Sequence, residues 1–326
     1  MPRSDAHRQT TSSPTSTGLV TVSGPEAPGV PGLDPAWVAS TVTVALDEDL
    51  GGSPGRDVTT QATIDPSDRR TAHLAVREPG VVAGLVVVEE VLRQVSGRLG
   101  LGQVEVTWHA HDGTRVATGD RVAALDGPAQ VLLVAERTLL NLASRASGVA
   151  TATRAWADVL DAAVRPDGTR AVVLDTRKTT PGLRALDKYA VRCGGGTNKR
   201  MGLYDVAMIK DNHIAAAGSL SAAVVRVRER FPDVDVQVEA DTTAQALEAV
   251  AAGARFLLLD NMPDDVLAAT VAAVRAAEPD GTHVELEATG NLTLERAARV
   301  AATGVDYLSV GALTHSAGIL DLALDL

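Results

Sequence analysis

From residue 171 to residue 312 the chain repeats one unit, a short continuous apolar run followed by a helical stretch. The runs are AVVLDT (171–176), DVAMIKD (205–211), DVQVEAD (235–241), RFLLLDN (255–261), HVELEAT (283–289) and DYLSVGA (306–312), with helical patterns over 214–230, 242–252, 263–277 and 293–303. Runs that are apolar on both faces belong to strands covered on both sides, as in parallel sheets with helical crossovers. Alternation this regular predicts an α/β barrel of the TIM type, or an incomplete relative with fewer than eight strands. A Rossmann sheet is disfavoured, because no GxGxxG follows a strand.

Upstream the pattern differs. Asp34-Pro35 reads as a cap and first helical position, opening a helix that ends before Gly51-Gly52. Short β-like runs follow at 72–77, 81–88, 104–110 and 129–136, separated by Gly- and Pro-containing turns and interrupted by one helical stretch, VVEEVLRQV. This predicts a small α+β sandwich over residues 33–136. Residues 137–164 then carry apolar side chains at spacings of three and four, a helix bridging into the barrel of residues 137–318. Arg137 stands at the start of that stretch, where the helix dipole disfavours a cation. At the far end Leu320, Leu322, Leu324 and Leu326 alternate with Asp321, Ala323 and Asp325, a period of two that predicts a strand. With the barrel complete, residues 319–326 are expected to return to the N-terminal sheet.

Composition narrows the function classes. The 326 residues carry a net charge of -11 with only 2% aromatics, which opposes a nucleic-acid surface of basic groups and stacking rings. No apolar run is long enough for a membrane span. Cys193 is the only cysteine, so no disulfide can form within the chain, consistent with a reducing cytoplasm. Residues 1–32 are rich in Ser, Thr, Pro and Gly, lack the apolar core of a secretory signal, and are expected to be a disordered tail.

Against this acidic background, residues 170–213 hold nine Lys or Arg and four Asp. Asp175, Arg177, Lys178 and Lys210 fall just past predicted strand ends, where parallel α/β folds place their chemistry. Gly194, Gly195 and Gly196 between them offer backbone without side chains, a candidate anion cradle. Later strand ends add Glu239, Asp260, Glu287 and Gly311. Any one of these charges alone is better read as a structural ion pair. Together on successive strands they predict a pocket for a polyanion, with Glu239 and Asp260 suited to Mg²⁺ or ribose hydroxyls. His73, His109 and His111 show no metal-like grouping; Cys193 reads as a buried filler, and Gly55 to Thr60 as a structural turn.

The motifs DTRKTTPGLR, KYAVRCGGGTN, RMGLYD and IKDNH, in this order, resemble those of the quinolinate phosphoribosyltransferase family. The similarity extends to ERTLLNLASRASGVAT, VEAD, LLLDNM, LEATGNL and VGALTHS, over roughly residues 33–326. It implies a homodimer with a shared active site and a substrate pair of quinolinate and phosphoribosyl pyrophosphate with Mg²⁺. Arg137 (reaching from the other subunit), Arg177, Lys199 and Arg200 would clamp the dicarboxylate, with Thr176 beside them. Lys178 and Lys210 would stabilise the pyrophosphate, and Glu239 and Asp260 would hold ribose or metal. Thr289, Gly290 and Asn291, with Gly311 and His315, would bind the 5′-phosphate. Two positions depart from the family pattern: Lys199 replaces a histidine, and Thr289-Gly290-Asn291 replaces Ser-Gly-Gly. A paralogue of the same fold (a molybdenum-transport-associated relative or a nicotinate-specific transferase), a Schiff-base aldolase using Lys210, and a phosphate-ligand binding or regulatory subunit without turnover are the competing readings. The many other cations oppose the aldolase, and the retained strand-end residues oppose the last.

Overall fold

The computed structural model describes residues 22, 24–279 and 281–326. Helix α1 (Pro35–Leu50) starts on Asp34, whose side chain accepts from the Ala36 N–H, and ends on left-handed Gly51. A short turn of helix, α2 (Thr60–Thr63), follows. Asp57 caps it, Oδ1 accepting from the Thr59 and Thr60 N–H groups and Oδ2 from the Thr60 hydroxyl, so this motif is structural. Next come β1 (Arg69–Val76), β2 (Gly80–Val81), α3 (Val86–Leu99), β3 (Glu105–Trp108), β4 (Arg115–Val116) and β5 (Arg121–Pro128).

Helix α4 (Ala129–Ala162) runs for 34 residues and joins two cores. Its first part packs Val131 to Ala150 into one core with α1, α3 and β1, and its end packs Trp156, Ala157 and Leu160 into the other. Residues 129–136, expected as a strand, are therefore helix. A helix covered on nearly every side is apolar all round, and a short apolar run does not reveal its period. Residues 81–88 also differ from expectation: only Val81 is strand, and α3 begins at Val86. Arg137 consequently lies well inside α4, beyond the reach of the N-terminal dipole.

There follow β6 (Val172–Leu174), α5 (Arg184–Cys193), β7 (Val206–Ile209), α6 (Asp211–Ala217), α7 (Leu220–Arg230), β8 (Asp235–Ala240), α8 (Thr243–Ala251), β9 (Phe256–Asp260), α9 (Asp264–Ala277), β10 (Glu285–Thr289), α10 (Leu294–Ala302), β11 (Tyr307–Ser309), α11 (Ala312–His315) and β12 (Leu322–Asp325). The strands β6 to β11 and their helices build the second core, except α5, whose Leu186, Tyr189, Ala190, Val191 and Cys193 pack into the first. The helix expected over 214–230 is divided by Gly218, at φ 94°, and restarts on Ser219, whose hydroxyl accepts from Ala222 N. All six barrel strands are parallel, in the order β6-β11-β10-β9-β8-β7. Sequence neighbours β6 and β7 thus form opposite edges of an incomplete barrel. Thr197 lies against the β6 edge, donating to Val173 O and accepting from Asp175 N.

The remaining four-stranded sheet is antiparallel, in the order β12-β1-β5-β3. β12 pairs with β1 from His73↔Asp325 to Val76↔Leu322, which brings the chain's last strand back to its first. Residues 1–21 and 23, part of the expected disordered tail, lie outside the described residues. Val22 and residues 24–32 depart from that expectation. Val22 N–H donates to Trp108 O, Pro25 O accepts from Asp112 N, and Ala27 is buried in the first core. Among the described residues no helix is long and apolar enough to cross a membrane.

Candidate active site

Parallel strands deliver the residues that follow them to one rim, and here the six C-terminal ends surround a cleft of about 630 Å³. β6 supplies Thr176, Arg177 and Lys178, and β7 supplies Lys210. Glu239 projects from β8, Asp260 from the end of β9, and Thr289, Gly290 and Asn291 from the end of β10. Gly311 and His315 come from the turn after β11, and Lys199 and Arg200 from the segment beside β6. All thirteen expected own-subunit site residues therefore line one cleft. Arg137 does not: it is exposed on α4, with no ion partner among the described residues.

The cleft's charges are unequally satisfied. Lys210 is hydrogen-bonded to Glu239 across adjacent strands. Lys199 Nζ lies 2.6 Å from Glu287 Oε1, both groups buried. Burial pushes the Lys199 ammonium below its ordinary value and the Glu287 carboxyl above its own, while their mutual attraction opposes both shifts. Arg200 donates to Val206 O, and burial together with nearby Arg177 pulls its pKa down. The Arg177 Nε–H is buried without a partner among the described residues. Five cations face Glu239, Asp260 and the deeper Glu287, a surplus of two positive charges in a chain whose net charge is -11.

The ends of β9 and β10 carry two asparagines and a glycine in the left-handed region. Asn261 and Asn291 follow β9 and β10 with φ of 54° and 49°, the left-handed region that Asn tolerates better than most residues. They lock together, Asn291 Nδ2 donating to Asn261 Oδ1 at 2.9 Å, while Asn261 Nδ2 donates to Asp260 Oδ2 at 2.8 Å. At Gly290, φ 84°, a Cβ would sit 2.2 Å from Asn261 Oδ1, so a larger residue there would have to displace this asparagine. At Gly311 a Cβ would crowd the Lys178 and His315 side chains at 3.0–3.2 Å.

Helix α5 holds the cationic wall through three consecutive buried residues. Asp187 accepts from Arg145 of α4 at 3.1 Å and from Thr180 N at 3.1 Å, and the same arginine hydrogen-bonds Thr314 O. Thr314 in turn donates to Lys178 O at 2.8 Å, so Arg145 and Asp187 tie the Lys178 loop to the His315 turn. Lys188 donates to Asp175 Oδ1 at 2.5 Å, and Tyr189 donates to Asp112 Oδ2 at 2.7 Å. Sequence reasoning missed Arg145 and Asp187. Their only local signal was charge inside apolar helix faces, which names no partner.

Asp175 is not a rim group: it is fully buried, accepting from Lys188, from Asn198 Nδ2 and from Lys199 N. Gly194 to Gly196 form no anion cradle, because their N–H groups donate to Ala190, Arg192 and Val191 carbonyls. Gly194 and Gly196 instead allow close packing on α4, where a Cβ would meet Ala150 O at 2.4 Å or Thr153 Cγ2 at 2.8 Å. Away from the cleft, His283, Glu285 and Asp306 form the one three-residue group among the described residues whose atoms could meet on a cation. Arg275 Nη1 faces His283 Nδ1 at 3.3 Å and its Nη2 holds Asp306 at 2.8 Å, so a cation already occupies that role.

Residues 57–147 match the N-terminal domain of quinolinate phosphoribosyl transferase and residues 149–325 its C-terminal domain. The chain is 47% identical over 286 residues to the nicotinate-nucleotide pyrophosphorylase (carboxylating) of Mycobacterium leprae, covering 88% of this chain and 96% of that one. It is 39% identical to quinolinate phosphoribosyltransferase (decarboxylating) 1 of Nicotiana glauca, over 87% of this chain and 80% of that one. The crystal structure of NadC from Streptococcus pyogenes superimposes with a TM-score of 0.80 at 35% identity, covering 91% of this chain and 98% of that one. Two family domains in order across an incomplete barrel and its preceding sheet leave one conclusion: the chain belongs to the quinolinate phosphoribosyltransferase family.

Proposed function

We infer that the protein transfers a phosphoribosyl group from phosphoribosyl pyrophosphate to the nitrogen of quinolinate, forming nicotinate mononucleotide, pyrophosphate and CO₂, a step of NAD biosynthesis. The observation that carries this reading is the cleft itself. Arg177, Lys178 and Arg200 stand there without ion partners among the described residues, opposite the Glu239 and Asp260 carboxylates. A dicarboxylate and a pyrophosphate need such cations; ribose hydroxyls need such acceptors.

In this assignment Arg177 and Arg200 engage the carboxylates of quinolinate beside Thr176, with Lys199 next to them. Lys178 and Lys210 draw negative charge onto the departing pyrophosphate. Glu239 and Asp260 accept from the ribose hydroxyls, and Thr289 to Asn291 with Gly311 and His315 receive the 5′-phosphate. The helix after Gly311 has only four residues, so hydrogen bonds from the turn outweigh any helix dipole. As the C1′–O bond breaks, the pyridine nitrogen attacks the cationic sugar carbon. The quaternised ring then stabilises the electron pair left at C2 when CO₂ departs, and a proton replaces it. Positioning and electrostatics supply the rate.

Glu239 and Asp260 are hard oxygen donors on adjacent strands, a set that fits Mg²⁺ when phosphate oxygens and water complete the shell. Mg²⁺ would neutralise pyrophosphate charge. Arg137 lies exposed on α4, outside its own cleft, which supports a homodimer in which it serves the partner subunit. The division into residues 33–136 with 319–326, and 137–318, and a cytoplasmic location compatible with one buried cysteine, belong to the same reading.

The test is direct. Purified protein supplied with quinolinate, phosphoribosyl pyrophosphate and Mg²⁺ should release CO₂ and form nicotinate mononucleotide. Turnover of nicotinate without turnover of quinolinate would reject the assignment.

A further inference from the structure

Lys199 differs from Lys210, the other ion-paired cation of the cleft, in that its pair is buried, whereas the Lys210 and Glu239 side chains are 43% and 15% exposed. Lys199 lies on the segment that follows the β6 edge, and its backbone is fixed there twice. Its N–H donates to Asp175 Oδ1 at 2.9 Å, and its carbonyl accepts from Lys188 Nζ at 2.9 Å. Its side chain then crosses to β10, two strands away from β6 in the sheet, to meet Glu287 Oε1 at 2.6 Å. The two side chains are 8% and 0% exposed. No other cation among the described residues forms an ion pair with Glu287.

We propose that Lys199 is the internal counter-ion of Glu287, bracing the open edge of the barrel, and that Arg177 and Arg200 recognise the substrate carboxylates without it. The proposal rests on the reaction assigned above and reassigns one cation within that site. A fully buried carboxylate deprived of its cation is costly, whereas a pair removed together is often tolerated. An ammonium buried against Glu287 is also a poor clamp, because a substrate carboxylate drawn to it would be repelled by the one already there, whereas the more exposed Lys210 ammonium stays accessible beside Glu239. Among the described residues Arg200 has no such counter-ion, and the buried Arg177 Nε–H has no partner. Holding residue 199 on both backbone and side chain sets where the next residue, Arg200, projects. Lys199 is therefore a positioning residue.

A double-mutant cycle on the full chain separates this role from a clamp. Lys199→Met and Glu287→Gln should each lower kcat/KM for quinolinate by roughly 30-fold, because each leaves one buried charge alone. The double variant has no buried charge in this pair and should return to within about tenfold of the unaltered protein, with the recovery seen in KM. Arg200→Met should gain nothing from Glu287→Gln. A double variant as impaired as Lys199→Met, or a harmless Glu287→Gln, overturns the proposal. Should Lys199→Met fail to fold, the double variant decides alone: a quinolinate KM near that of the unaltered protein upholds it, and a rise of about a hundredfold rejects it. Thermal unfolding of the same set needs no substrate. It reports whether the two residues couple even if quinolinate proves not to be turned over, and additive shifts would overturn the counter-ion role.

Discussion

Asp112 carries a pH dependence that its position explains. It sits in the turn between β3 and β4, accepting from Leu85 N and from the Tyr189 hydroxyl of α5, so it joins the N-terminal core to the helix that holds the cationic wall. Burial lifts its carboxyl from the ordinary 3.8 to about 7, against the lowering effect of those hydrogen bonds. The folded state therefore prefers the protonated acid, while the unfolded carboxyl ionises above about 4. The contribution to stability is complete below that pH and is lost as pH rises towards about 7. Asp112→Asn should flatten the dependence of the melting temperature on pH between 4 and 7. Parallel curves for variant and unaltered protein would show that Asp112 does not titrate in this window.

At the scale of elements, β12 is the test of how the chain closes. Leu320, Leu322 and Leu324 are buried in the first core, and β12 completes the edge of the sheet beside β1. Burying three leucines contributes on the order of 5 kcal/mol, comparable to the whole stability of many domains. Removing residues 319–326 should lower the melting temperature of the N-terminal core and expose the β1 edge to aggregation. Unchanged melting of the truncated protein would contradict this. The long helix α4 plays the opposite part, since it contributes buried side chains to both cores. It also carries Arg137 on its surface and Arg145 towards the barrel rim, so one continuous helix places both side chains.

For the whole molecule, the proposed homodimer predicts that each copy lends Arg137 to its partner's cleft. Arg137→Ala and Lys178→Ala should each be nearly inactive alone. After unfolding and refolding together, a mixed dimer would hold one doubly damaged site and one intact site, so random pairing should restore roughly a quarter of the original activity. If Arg137 serves its own barrel, every mixed site carries one defect and nothing returns.

How far the sequence reached follows from what is local. The strand-then-helix repeat, the strand-end positions of Arg177, Lys178, Lys210, Glu239 and Asp260, and the period of two at the C-terminus are properties of neighbouring residues, and all are legible in the sequence alone. Asn291 in place of Gly is likewise legible as tolerable, because the left-handed conformation it adopts is a single-residue property. The start of α4 is not, because burial on most sides erased the period that distinguishes helix from strand. Nor are the partners of the charges. Asp175 looks like a rim group in sequence and the resemblance makes Lys199 a carboxylate clamp, yet Asp175 is buried under Lys188, and Lys199, though it lines the cleft, is paired with Glu287. Arg145 reached Asp187 and Thr314 only once α4, α5 and α11 had packed. Local periodicity determined which residues arrive at the rim; which of those charges remain free for a ligand was decided by contacts between strands and helices far apart in the chain, where burial makes every unpaired charge costly.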